Sequence, residues 1–114
     1  MLLINSKLPT IAAMTGVKCI ATLKALGELN RMRILRLLLK SQLSVNEIVR
    51  QVNVSQYTVS KNLKILREAG LVEVERHGKQ RLYAVARRLT SHLKTNANVL
   101  ELGCCSFRFD RLPR

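Results

Sequence analysis

The spacing of apolar residues switches from a helical period at Gly70 of this 114-residue chain, and that change limits the folds open to it. Before Gly70 the repeat is helical. Ile11, Met14, Val17, Ile20, Leu23 and Leu26 recur at three-residue spacing, which predicts a first helix over about 10–26, with Pro9 suited to its first turn. Gly27 breaks that stripe. Asn30 is the expected cap of a second helix whose apolar residues, Met32 through Leu39, run nearly all round, as in a helix buried mid-fold. Ser44 and Glu47 stand at capping-box spacing before Val45, Ile48, Val49 and Val52, and Ser55 is placed to cap a fourth helix bearing Val59, Leu63 and Leu66. Gly70 supplies the left-handed residue that ends it.

Beyond Gly70 the pattern is that of a β-hairpin: Leu71, Val72 and Val74, a turn at His77-Gly78-Lys79-Gln80, and a return strand over 81–85. Leu89, Leu93, Ala97 and Leu100 return to three- or four-residue spacing and predict a fifth helix from about Leu89 to Leu102, closed by Gly103. The last residues alternate apolar and polar, as an extended segment on a surface does. The division expected is one domain over 1–103 and a tail over 104–114. Tyr57, Tyr83, Phe107 and Phe109 are the only aromatics, so aliphatic residues must build the core.

Charge directs the function. Twenty Lys and Arg against seven Asp and Glu give a net charge of +13, a surplus that favours a polyanionic partner. No run approaches the ~20 apolar residues that span a bilayer, so no membrane partner is expected. Gly16-Val17-Lys18-Cys19 fails as a lipoprotein cleavage site because Lys18 takes the small-residue position. Three cysteines leave one over after any pairing and do not make an extracellular disulfide framework, so a cytoplasmic protein with reduced thiols is expected.

Two short helices joined by a tight turn, followed by a hairpin with a basic tip, compose a winged helix-turn-helix. The fourth helix offers Gln56, Tyr57, Thr58, Ser60, Lys61, Asn62 and Lys64 outside its apolar stripe: amides for adenine, hydroxyls for base edges or phosphate, ammonium groups for phosphate or guanine. From Lys61 to Arg88 eight basic residues face three acids. Against this stands the plainer reading of a solvated polar helix face. No Ser/His/Asp set, Gly-rich phosphate loop or carboxylate pair is evident, so an enzyme is not expected.

The run from Leu23 to Leu38, the run Ser55-Gln56-Tyr57-Thr58-Val59-Ser60-Lys61-Asn62-Leu63-Lys64 on to Val72, and the wing Arg76-His77-Gly78-Lys79 resemble the ArsR/SmtB family of metal- and thiol-responsive repressors. The resemblance covers about residues 20–88. It implies a homodimer whose first and last helices form the interface, with each recognition helix in a major groove of operator DNA. It also implies groove contacts by Gln56, Tyr57, Thr58, Ser60, Lys61 and Lys64, with Arg76, Lys79 and Arg81 on phosphate or in the minor groove. Repression is then relieved by a ligand.

The sensing sites of that family are only partly matched. Where many members place a Cys-Val-Cys pair at the third helix, this chain has Ser44-Val45-Asn46. The last helical stretch has His92 with no second His one turn away, which argues against zinc there. Cys104 and Cys105 remain. A vicinal thiol pair suits trivalent arsenic or antimony; the resemblance implies that the first helix meets the segment after the last one near the dimer interface, which makes Cys19 a candidate third sulfur. No cofactor is expected to be required. Three fates stay open for the pair: a soft-metalloid site that releases the repressor, a redox- or persulfide-responsive thiol, or inert tail residues. Cys19 as a small hydrophobe in an interface is equally open. Outside this class stand a winged helix without a sensor and, last, an RNA-binding module, which would ordinarily present stacking aromatics on a sheet.

Overall fold

The computed structural model describes residues 16–94, 98–102 and 104–112. Helix α1 (Gly16–Leu26) and α2 (Leu29–Leu38) lead into the α3 (Val45–Val52), turn, α4 (Gln56–Glu68) unit. A hairpin of β1 (Val72–His77) and β2 (Gln80–Val85) follows. Residues 10–15, where the first helix is expected to begin, lie outside the described residues.

Local chemistry explains most boundaries. Ser44 Oγ accepts from the Glu47 N–H at 3.3 Å while Glu47 Oε1 accepts from the Ser44 N–H at 2.8 Å, a complete capping box at α3. Asn53, at φ 56°, ends α3 in the left-handed conformation that asparagine tolerates. Ser55 Oγ accepts from the Thr58 N–H at 3.1 Å and opens α4. One cap differs from expectation: Glu28, not Asn30, caps α2, its carboxylate accepting from the Arg31 N–H at 3.0 Å. A carboxylate two residues earlier wins because it meets the positive end of the helix.

Ile34, Leu35 and Leu38 of α2, Ile48 of α3 and Val59, Leu63 and Leu66 of α4 share one core with Leu71, Val72, Tyr83 and Val85. The wing is pinned to that core by paired backbone bonds between Leu43 and Tyr83, at 2.8 and 3.0 Å. Its register sets Val72 opposite Val85 and His77 opposite Gln80, leaving Gly78 and Lys79 as the two-residue turn, with Gly78 at φ 66°.

The expected helix over 89–102 does not form. Residues Arg87–His92 make a 3-10 turn, and β3 (Leu93–Lys94), β4 (Val99–Glu101) and β5 (Ser106–Arg108) make a small antiparallel sheet in the order β3-β4-β5. The described residues therefore hold four α-helices rather than five. Thr90, Ser91, Thr95, Asn96, Asn98 and Val99 are poor helix formers, and their cost outweighs a spacing that Leu89 satisfies equally well in the 3-10 turn and Leu93 and Leu100 in this sheet. Leu93 faces Leu100 across β3 and β4, and Leu100 and Leu102 are buried at alternate positions. The tail joins the same core: Phe109 is fully buried, and its N–H donates to the Asn98 carbonyl at 2.7 Å.

Candidate nucleic-acid interface and cysteine cluster

The candidate reading face is assembled by α4. Val59, Leu63 and Leu66 hold the helix to the core, so the intervening Gln56, Tyr57, Ser60, Lys61 and Lys64 are exposed and Thr58 is half-buried. Tyr57 is 76% exposed, a large ring left to solvent. The Thr58 hydroxyl accepts from Ser55 Oγ at 2.9 Å, which orients it at the helix N-terminus, where free N–H groups and the helix dipole attract phosphate. Asn62 does not join these residues. It is 5% exposed and points inward, its Oδ1 accepting from Arg31 Nη1 at 3.0 Å and its Nδ2 donating to the Thr58 carbonyl at 3.0 Å.

The wing presents Arg76, Lys79 and Arg81, all exposed. The nearby acids are engaged elsewhere: Glu73 contacts Arg87 at 3.4 Å and Glu75 contacts His77 at 3.3 Å. Among the described residues, Arg76, Lys79 and Arg81 make no ion pair. Their charge is therefore available to an external anion.

The three cysteines, far apart in sequence, meet at one place. Cys19 on α1, 7% exposed, is disulfide-bonded to Cys104 in the turn between β4 and β5, with Cα atoms 6.4 Å apart. That turn is held by the Leu102 N–H donating to the Cys105 carbonyl at 2.9 Å. Cys105 keeps a free, half-buried thiol, with Sγ 3.9 Å from that of Cys19 and 3.7 Å from that of Cys104. Burial, with the Glu101 carboxylate adding to it, raises the pKa of the Cys105 thiol. All three sulfurs lie within 4.8 Å of one another. Three thiols so placed can do two things: exchange electrons as a disulfide, or converge on a soft three-coordinate centre.

The remaining candidates fall elsewhere. Ser44 is occupied in its capping box and Asn46 is exposed, while His77 stays on the wing beside Glu75. Sequence reasoning missed the Arg31–Asn62 contact. Its signal was Arg31 itself, one of three arginines on α2, with no partner assignable from spacing.

Residues 29–74 match the family described as bacterial regulatory protein, arsR family. The HTH-type transcriptional repressor SmtB of Mycobacterium tuberculosis is 40% identical over 75 residues, a match spanning 66% of this chain and 56% of that protein. The transcriptional activator HlyU of Vibrio cholerae is 33% identical over 71 residues. Its reduced form superposes with a TM-score of 0.59, covering 61% of this chain and 74% of that one. The homodimeric winged helix-turn-helix DNA-binding domain of a possible ArsR-family regulator from Mycobacterium bovis, solved in solution, superposes with a TM-score of 0.59. It is 33% identical, covering 61% of this chain and 65% of that one. The chain thus spans little more than half the length of the SmtB repressor it matches.

Proposed function

From the premise that this chain belongs to the ArsR family of bacterial winged-helix regulatory proteins, we propose that it is a homodimeric repressor that binds operator DNA and leaves it when its cysteine cluster reacts. Exposure of Gln56, Tyr57, Ser60, Lys61 and Lys64 on one helix, beside a wing of exposed Arg76, Lys79 and Arg81 that make no ion pair among the described residues, supports DNA as the partner. Exposed Ile20 (55%) and Leu23 (43%), one turn apart on α1, suit the self-association that the Mycobacterium bovis domain displays. No helix of the described residues is long and apolar enough to cross a membrane, which agrees with action in the cytoplasm.

One observation carries the regulatory half of this reading. The Cys19–Cys104 bond ties α1 to the β4–β5 turn across 85 residues of sequence. In a reducing cytoplasm such a bond is a transient, sensing one rather than a permanent staple. Its formation removes two electrons and two protons from the two thiols, which a disulfide oxidant takes up to leave as two thiols. That bond changes how α1 sits, and with it the spacing of two recognition helices that must match half-sites one DNA turn apart.

A second inducer fits the same residues. With the bond reduced, the sulfurs of Cys19, Cys104 and Cys105 converge closely enough for trivalent arsenic or antimony, which accept up to three thiolates. The chain itself supplies the orientation: α1 presents one sulfur and the β4–β5 turn two.

Fluorescence anisotropy of the reduced dimer on its own upstream DNA tests both readings, with oxidised glutathione, a persulfide donor, arsenite, methylarsenite, antimonite and zinc as additions. Release by disulfide or persulfide alone assigns thiol oxidation. Release by a metalloid under reducing conditions assigns the three-thiolate site. Indifference to all of them refutes the regulatory half and leaves a winged-helix DNA-binding protein.

A further inference from the structure

Arg31 lies in the first turn of α2, yet its guanidinium serves two other helices. Nε donates to the Ala25 carbonyl and Nη2 to the Lys24 carbonyl at 3.3 Å, both in the last turn of α1. These carbonyls lie where a helix runs out of its own donors. Nη1 reaches the other way, to Asn62 Oδ1 at 3.0 Å. Asn62 completes the link by donating to the carbonyl of Thr58, at the start of α4 where the groove-facing residues sit.

The opposite end of α1 carries Cys19 and its bond to Cys104. Cys19 and Ala25 are six residues apart on a stiff helix, about 9 Å of axial length. A displacement imposed where the sulfurs join is therefore delivered at the carbonyls that Arg31 holds. The guanidinium fork is planar and its donors are fixed relative to one another, so two cannot shift without turning the third. Asn62 is buried, and an amide that loses its partner there finds no easy replacement.

We propose that Arg31, acting through Asn62, is the positioning residue that couples the thiol state of the Cys19, Cys104 and Cys105 cluster to the orientation of the recognition helix α4. The proposal rests on the regulatory reading above and names the path by which that regulation reaches DNA. Arg31 touches neither the sulfurs nor the reading face. It transmits.

The test compares DNA affinity before and after oxidation by diamide, which takes two electrons and two protons from the Cys19 and Cys104 thiols and becomes the hydrazine. The DNA is a duplex selected from a random pool by the reduced wild-type protein. Wild type is expected to show an affinity ratio between states within the ordinary range for coupled sites, about 5–150-fold. Arg31→Lys keeps the charge but not the fork, and Asn62→Ala removes the acceptor. Each is expected to bring the ratio below the square root of the wild-type value, and the double variant to lose no more than the larger single loss. A ratio above that mark in either variant overturns the coupling, as does a double variant whose losses multiply. A wild-type ratio of one overturns the regulatory reading and this proposal with it, a failure distinguished by being present in the unsubstituted protein. Should the variants not fold, amide exchange over residues 58–62 of wild type decides: slower or faster exchange on oxidation is expected, and equal exchange in both states overturns the link.

Discussion

Arg76 and Arg81 stand directly opposite each other across the wing hairpin, one residue pair from the turn that carries Lys79. Like charges at facing strand positions destabilise a hairpin unless an anion lies between or beside them. This wing is therefore built at a small cost to its own stability, a cost that a phosphate backbone removes. Replacing Lys79 by Ala should weaken binding to specific and random duplexes alike and flatten the slope of log affinity against log salt by about one. Titrations at several salt concentrations check it. An unchanged slope would show that the wing tip stays clear of the backbone.

The recognition helix should behave differently. Gln56 sits at the first position of α4, exposed beside Tyr57, and an amide there can pair two groups on one adenine edge. Gln56→Ala is expected to lose about 1–3 kcal/mol on the preferred duplex and much less on random DNA, relaxing base preference at one position. Binding to a panel of single-base variants of the operator measures it. Equal losses on every sequence would place base reading on other residues.

Whether a feature is legible in the sequence depends on whether the deciding interaction is local. Ser44 with Glu47, Ser55 with Thr58 and the Gly78 turn are settled within four residues, and each can be read from residue type and spacing alone. The segment 89–102 misleads because Leu89, Leu93 and Leu100 fit two geometries, and only the partner strand β5 decides between them. Asn62 misleads for a related reason. Its helical position borders both faces of α4, and Arg31, thirty-one residues away, draws it inward. The meeting of Cys19 with Cys104 and Cys105 is suggested by the family resemblance alone, since no local rule spans 85 residues.

The tail should prove integral to stability. Phe109 is fully buried and stacks at a tilt against Phe107, with ring centres 6.5 Å apart. Truncating a buried phenylalanine to alanine typically costs about 3–5 kcal/mol. Phe109→Ala is expected to lower the urea midpoint accordingly, whereas substitution of exposed Ser106 should leave it nearly unchanged. A Phe109→Ala protein as stable as wild type would mean that residues 104–112 dock without contributing to the core.

Reduction of the Cys19–Cys104 bond should itself be visible in unfolding. Closing a loop between residues 85 apart restrains the unfolded chain by about 4–5 kcal/mol on the chain-entropy account. The oxidised protein should therefore unfold at a urea concentration higher by about 2 M, given the usual denaturant sensitivity of a small domain. Identical midpoints with and without dithiothreitol would show that the native state is strained by as much as the unfolded state is restrained.

Cys105 separates the two proposed inducers. Its thiol is not part of the Cys19–Cys104 bond, so Cys105→Ser should still lose DNA on oxidation. The same variant offers a metalloid two sulfurs rather than three and should need at least about tenfold more arsenite, a penalty on the scale seen when even an outer partner of a metal site is lost. The free thiol also has a pH signature. Burial, with Glu101 adding to it, raises its pKa, so the neutral thiol is the form that folding favours. The stability this contributes is complete below the thiol's ordinary pKa and is lost as pH rises through the raised value in the folded protein. Alkylation of Cys105 by iodoacetamide in the oxidised protein should accordingly rise with pH along a curve displaced to the alkaline side of a free cysteine. A curve at or below the free-cysteine position would place an activating cation beside the sulfur.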